Sequence, residues 1–201
     1  TSTTNQVTTT VEGPKKTVSD ADETNVTNNT VRSLADDWTY SITEKVAKGA
    51  DEKYTSFVFK DPIEECMKIN SVKVKADNGN DVSDWFNIST DSNNVVATLK
   101  DPSGNADFYN NSAYTMEINV KMDVPENVTE DQLKSLKEKW ENHGHYNEKK
   151  TVIHEENEAF VEINGKNTIT NKPTTNVELS KTVNDNPGLN ITKDVNRYEH
   201  Q

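Results

Sequence analysis

Five apolar side chains at alternate positions, Tyr114, Met116, Ile118, Val120 and Met122, constrain this chain more than any other feature. Successive side chains of a strand point to opposite faces, so these five share one face. Thr115, Glu117, Asn119 and Lys121 occupy the other. A helix cannot hold this pattern, because at about 3.6 residues per turn the five would spread around its axis. The alternation recurs at Trp38, Tyr40 and Ile42, at Phe57 and Phe59, at Val72 and Val74, and at Phe86 and Ile88. It returns at Val95, Ala97 and Leu99, and at Ala159, Val161 and Ile163. Further short strands are expected at Lys16–Val18, Val152–His154 and Ile169–Asn171. About ten short strands separated by polar turns predict an all-β fold, an immunoglobulin-like β-sandwich.

One segment departs from this rhythm. Thr129-Glu130-Asp131-Gln132 reads as a capping box, with the Thr129 hydroxyl and the Gln132 side chain satisfying each other's backbone N–H groups. Leu133, Leu136 and Trp140 then fall on one helical face, and Gly144 is a terminator. The spacing predicts one inserted α-helix over 130–142, packed over a sheet edge.

Composition supports a folded but polar chain. Leu, Ile, Val and Phe make up only about a fifth of the 201 residues, so the pattern rather than the amount of apolar residues argues for a core. The net charge of −12 argues against nucleic acid or an anionic membrane as partner. No apolar run is long enough for a membrane span. The single cysteine, Cys66, excludes an internal disulfide and reads as a small buried residue.

The two ends of the chain echo each other. Thr4-Asn5-Gln6-Val7-Thr8-Thr9-Thr10-Val11-Glu12 is echoed by Thr170-Asn171-Lys172-Pro173-Thr174-Thr175-Asn176-Val177-Glu178, and Lys16-Thr17-Val18 by Lys181-Thr182-Val183. The offsets are 166 and 165 positions (171 − 5 and 181 − 16). That period is too long for a solenoid unit and suits a whole domain. The expected organisation is a tail of a preceding repeat at 1–12, one domain at 13–179, and the start of a following repeat at 180–201.

Catalytic and metal signatures are weak. His143 and His145 flank Gly144 at the expected helix end, with no cysteine or carboxylate at a metal-like spacing. The loops Asp77–Asp81 and Asp101–Asp107 are rich in oxygen but do not fit a twelve-residue calcium loop, so turn chemistry is the expectation. No phosphate-cradling glycine loop or nucleophile elbow is present. No metal and no cofactor are expected, and a hydrolase or metal-dependent enzyme is the weakest reading.

A different constellation stands out. Lys16 shares parity with Val18, and Asp61 with Phe57 and Phe59. Asn171 shares parity with Ile169, Pro173, Val177 and Leu179. If each alternation holds, an amine, a carboxyl and a carboxamide all point inward. Buried charges are costly, so each must then be paired.

The segments Pro14-Lys15-Lys16-Thr17-Val18, Phe57-Val58-Phe59-Lys60-Asp61-Pro62 and Thr170-Asn171-Lys172-Pro173 resemble those of fimbrial isopeptide-forming domains. Those are CnaA-like domains of Gram-positive cell-wall-anchored adhesins and pilins, including antigen I/II C-terminal domains. The resemblance covers about residues 14–179. It implies that Lys16 is the amine, Asn171 the acceptor and Asp61 the acid that promotes their condensation. The family's last strand usually reads Ser-Asn-x-Val, from which Thr170-Asn171-Lys172-Pro173 departs. Asn176 competes as acceptor and Lys15 as amine, but the duplicated ends favour Asn171 and Lys16. The resemblance further implies an extracellular, cell-surface stalk or adhesive repeat whose partners are neighbouring tandem domains and a host or cell-surface ligand. Self-cross-linking is a single turnover, not enzymatic activity. The competing reading is an immunoglobulin-like ligand-binding module without a covalent bond.

Overall fold

A computed structural model of the chain describes residues 13–179 apart from 48, 50 and 148–151. The segments 1–12 and 180–201, assigned from sequence to neighbouring repeats, lie outside the described residues, as do Asn5 and Lys181. Among the described residues no helix is long and apolar enough to cross a membrane.

Thirteen strands and one α-helix are formed among the described residues. In chain order the strands begin with β1 (Lys15–Ser19), β2 (Asn28–Val31), β3 (Trp38–Lys45), β4 (Phe57–Pro62) and β5 (Met67–Ala76). Next come β6 (Phe86–Ser89), β7 (Asn94–Leu99), β8 (Ala113–Met122) and then α1 (Glu130–Asn142). The last five strands are β9 (Tyr146–Asn147), β10 (Val152–Glu156), β11 (Phe160–Ile163), β12 (Lys166–Ile169) and β13 (Thr174–Glu178). They make three sheets, ordered β1-β3-β8-β5, β12-β11-β4-β7-β6 and β2-β13-β10-β9.

The first two sheets face each other, and β8 is central to the packing. Tyr114, Met116, Ile118, Val120 and Met122 are all fully buried, while the residues between them are half-buried. Phe57 and Phe59 on β4 and Phe86 on β6 supply the facing layer. The Phe57 and Phe86 rings lie 6.3 and 6.5 Å from that of Tyr114. Phe108, from the 3-10 turn before β8, stacks on Tyr114 at 4.4 Å with the rings nearly parallel. Such contacts add to the apolar burial that drives sheet packing. Val31, Ile153 and Val177 bring the third sheet into the same core. The fold is an immunoglobulin-like β-sandwich with one inserted helix.

β5 is longer than the Val72–Val74 strand expected from sequence. It runs beside β8 with a bulge at Asn70, where the register shifts between Ile69 and Ser71. The exposed Lys68, Asn70, Ser71 and Lys73 masked it, because a strand covered on one face only needs few apolar residues.

The helix spans the residues expected. Its capping box is complete: Gln132 N–H donates to Thr129 Oγ1 at 3.1 Å, and Thr129 N–H donates to Gln132 Oε1 at 3.0 Å. Leu133 and Trp140 are buried, and the helix packs against β9, an edge strand of the third sheet.

The C-terminal part departs from the sequence expectation. The strand expected at Ile169–Asn171 ends at Ile169, which is exposed, and the chain passes to β13 in a different sheet. The crossover is fixed by Thr170, whose buried hydroxyl accepts from Ala159 N–H and donates to the Asn171 carbonyl. Pro173, with no N–H to give a ladder, sits at the entry to β13.

Candidate functional site

β1 is a short strand whose alternation places Lys16 and Val18 inward. Lys16 lies opposite Ile42 and Val18 opposite Tyr40 on β3. From the facing sheet, β4 sends Phe57, Phe59 and Asp61 to the same side. The Lys16 Nζ therefore meets Asp61 Oδ2 at 2.5 Å, with both side chains fully buried. The Tyr40 ring lies beneath the amine, 4.2 Å from ring centroid to Nζ, and stabilises its charged form through the ring face.

Burial nevertheless dominates the electrostatics. It holds the Lys16 ammonium below its usual range, an effect that the Asp61 carboxylate opposes only in part. It pushes the Asp61 carboxyl up to about 6, with Lys16 again acting in the opposite sense. Tyr40 is likewise held above the ordinary phenol value by burial. Both members of the pair are thus biased toward amine and carboxylic acid.

Asp61 Oδ1 lacks a hydrogen-bond partner among the described residues, and the buried Tyr40 hydroxyl and Thr175 Oγ1 add further polar groups around the pair. Thr175 is the inward residue of β13 that approaches the Tyr40 hydroxyl. An unpartnered buried polar atom is costly, and the buried polar groups gathered here set the site apart from the apolar core.

Asn171 is adjacent, but it does not point inward as its parity predicted. Its residue is exposed, and its carboxamide engages the Lys16 main chain rather than Nζ. Oδ1 accepts from Lys16 N–H at 2.8 Å, and Nδ2 donates to the Lys16 carbonyl at 2.8 Å. Inward parity at Asn171 requires one continuous strand through Pro173, and the crossover at Thr170 breaks that strand. Asn176 turns outward, its Nδ2 donating to Asn28 Oδ1 at 3.3 Å, and Lys15 is exposed.

The sequence reading missed Asn157. It is buried between β10 and β11, with its N–H donating to the Pro173 carbonyl and Nδ2 to the Pro62 carbonyl, beside Asp61. Its Oδ1 has no partner among the described residues. Nothing in Glu155-Glu156-Asn157-Glu158 signals burial, because the residue lies between strands.

The remaining candidates resolve into turn chemistry or a second cluster. Asp81 accepts from Ser83 N–H and Asp101 from Gly104 N–H, as expected for turns, while Asp77 accepts from Ser112 N–H and ties two loops together. Cys66 is buried, and burial holds its thiol well above the ordinary range. His143 and His145, helix-end residues with no carboxylate at a metal-like spacing in the sequence, stand beside Glu65.

Residues 14–155 match the cell surface antigen I/II C2 terminal domain. Among solved structures, the C-terminal domain of the Streptococcus pyogenes antigen I/II-family protein AspA is similar. Its TM-score is 0.55 at 15% identity, over 83% of this chain and 47% of that one. The C-terminal domain of the Streptococcus agalactiae AgI/II polypeptide BspA gives 0.53 at 16% identity, over 81% and 49%. BcpA, the major pilin subunit of Bacillus cereus, gives 0.54 at 14% identity, over 82% and 39%. At these identities the likeness shows a shared fold, and the chain spans less than half of each of those structures. No curated protein matches the chain.

Proposed function

The chain belongs to the family of cell surface antigen I/II C2 terminal domains, and on that premise we propose that it is an extracellular structural domain of a bacterial surface adhesin, locked by a Lys16–Asn171 isopeptide bond. The observation that carries this reading is the fully buried Lys16–Asp61 pair, with Asn171 held on the main chain of Lys16 itself.

A proton moved from Lys16 Nζ to Asp61 leaves a neutral amine beside a carboxylic acid, the combination that burial favours. The amine nitrogen attacks the side-chain carbonyl carbon of Asn171 while the Asp61 acid donates to its oxygen. Collapse of the tetrahedral intermediate breaks the bond to Nδ2. Nδ2 leaves as ammonia with the proton that the attacking nitrogen gives up through Asp61, and one amide remains. Folding supplies the proximity, and the reaction occurs once per chain. It requires the Asn171 carboxamide to release the Lys16 main chain and turn toward Nζ.

The product would close a loop of 155 positions. Treated as a cross-link of that length, it stabilises the fold by about 5 kcal/mol. It would also prevent tension from peeling β1 off the sandwich, a fitting property for a stalk domain between tandem neighbours. A second reading is favoured by one observation, the engagement of Asn171 with main chain. In it the three residues form a non-covalent clamp within a ligand-binding module.

Intact mass separates the two. The covalent reading expects a loss of one ammonia, abolished by Lys16→Ala, by Asp61→Ala and by Asn171→Ala. An unchanged mass in well-folded protein overturns it in favour of the clamp. A loss that persists in Asn171→Ala and disappears in Asn157→Ala moves the acceptor to Asn157.

A further inference from the structure

At the far end of the inserted helix, the β4–β5 turn, the end of α1 and β10 converge. Glu65 lies in the turn between β4 and β5, His143 caps α1, His145 follows Gly144, and Glu155 is on β10. Gly144 adopts φ +79°, a left-handed conformation that costs glycine little and lets the chain reverse between the two histidines. The His145 N–H donates to the Trp140 carbonyl at 2.7 Å, which fixes this reversal to the last helical turn. His143 Nδ1 approaches Glu65 Oε1 to 2.6 Å, and His145 Nε2 approaches the same oxygen to 3.1 Å. The other nitrogen of His145, Nδ1, is bonded to Oε1 of the buried Glu155.

We propose that Glu65, His143 and His145 form a binding site for a divalent transition-metal ion, zinc first, with Glu155 orienting His145 from behind. One ligand atom from each of the three lies within 4.8 Å of the other two. In a tetrahedral zinc site with bonds of about 2.0–2.1 Å, neighbouring ligand atoms stand about 3.3 Å apart. Small side-chain rotations therefore suffice to admit the ion. Two imidazole nitrogens and one carboxylate oxygen suit zinc, whereas calcium takes six or more oxygens.

Glu155 supplies a feature that a chance surface cluster lacks. A metal-bound histidine commonly donates its second N–H to a carboxylate, which sets the tautomer and the ring plane. Here His145 presents Nε2 toward Glu65 while Nδ1 is held by a buried carboxylate. Glu65 and His143 are exposed, so the ion can enter from solvent and keep water as its fourth ligand. Cys66 Sγ, 3.9 Å from Glu155 Oε1, belongs to the layer behind. A bound ion would brace the C-terminal end of α1 against the β4–β5 turn. This brace is independent of the proposed isopeptide bond.

The test titrates zinc chloride into chelator-stripped protein that carries no polyhistidine tag, followed by calorimetry and thermal unfolding. Binding of one equivalent and a raised Tm are expected. His143→Ala, whose side chain is exposed, keeps the fold and weakens binding more than about tenfold. Glu155→Gln weakens zinc about 10–100-fold without touching the ion. Absence of stoichiometric binding to the wild type overturns the site. So does zinc binding that survives His143→Ala unchanged, and so does a calcium response in place of a zinc response.

Discussion

The carboxamide of Asn171 pairs with the main chain of Lys16 as a strand residue would, accepting from its N–H and donating to its carbonyl, each at 2.8 Å. Two residues further along β1, Val18 exchanges the equivalent pair of bonds with Val26. Together they cover the edge of β1 that β3 leaves open. An uncovered edge is a template for unwanted pairing, and here it is closed by a side chain and a single bridge.

Replacing Asn171 with alanine exposes that edge at one point. The Lys16 amide is expected to exchange with solvent about tenfold faster or more, while the Val18 amide keeps its protection. Hydrogen exchange followed by NMR reads both positions in one experiment. Equal acceleration at the two would show that Asn171 supports the whole strand rather than Lys16 alone.

Asp61→Ala leaves the buried Lys16 amine without its partner and is expected to cost about 3–5 kcal/mol in chemical denaturation. Replacing both members, Lys16→Met with Asp61→Leu, removes the two desolvated groups together and is expected to recover most of that loss. A double variant as unstable as the single one would show that the cost lies in packing.

Glu44 gives a pH dependence of definite sign. It sits at the inward end of β3 opposite Tyr114, and burial pushes its carboxyl up to about 7 from 4.5. A folded-state value above the unfolded one means that the group's stabilising contribution is complete below about pH 4.5 and is lost as pH rises through about 7. Glu44→Gln should therefore be more stable than wild type at pH 8. Across this window the difference between the two narrows as pH falls. Urea midpoints measured at unit intervals check it, and a variant that loses stability at pH 8 would contradict it.

Phe108 joins the two facing sheets, stacked on Tyr114 at 4.4 Å and edge-on to Phe57 at 5.2 Å. Phe108→Ala is expected to cost about 3–5 kcal/mol, the range for deleting a buried aromatic ring. Phe108→Leu keeps much of the volume and should cost clearly less. Denaturant midpoints of the two variants separate ring volume from ring geometry.

Much of the fold was legible because alternation is a local property of an extended chain. β3, β4 and β8 could be read from Trp38-Thr39-Tyr40, Phe57-Val58-Phe59 and the run from Tyr114 to Met122 without knowledge of their partners. The helix was legible for a similar reason, since Thr129 and Gln132 complete each other's hydrogen bonds within one turn. β5 is legible only around Val72 and Val74, because its outer face is polar and its full length is set by pairing with β8.

The candidate site divides along the same line. The sequence by itself determined that Lys16 and Asp61 face a core, because each belongs to an unbroken strand whose inward positions are otherwise apolar. Only the tertiary structure decided that they meet at 2.5 Å, since that depends on how two sheets are laid together. It also turned Asn171 outward onto main chain, because a buried threonine hydroxyl and a proline interrupt the alternation that had pointed it inward. Asn157 and the convergence of Glu65, His143, His145 and Glu155 carried no local signal. Their side chains come together through strand register and the docking of one helix, and neither is written in the spacing of any single segment.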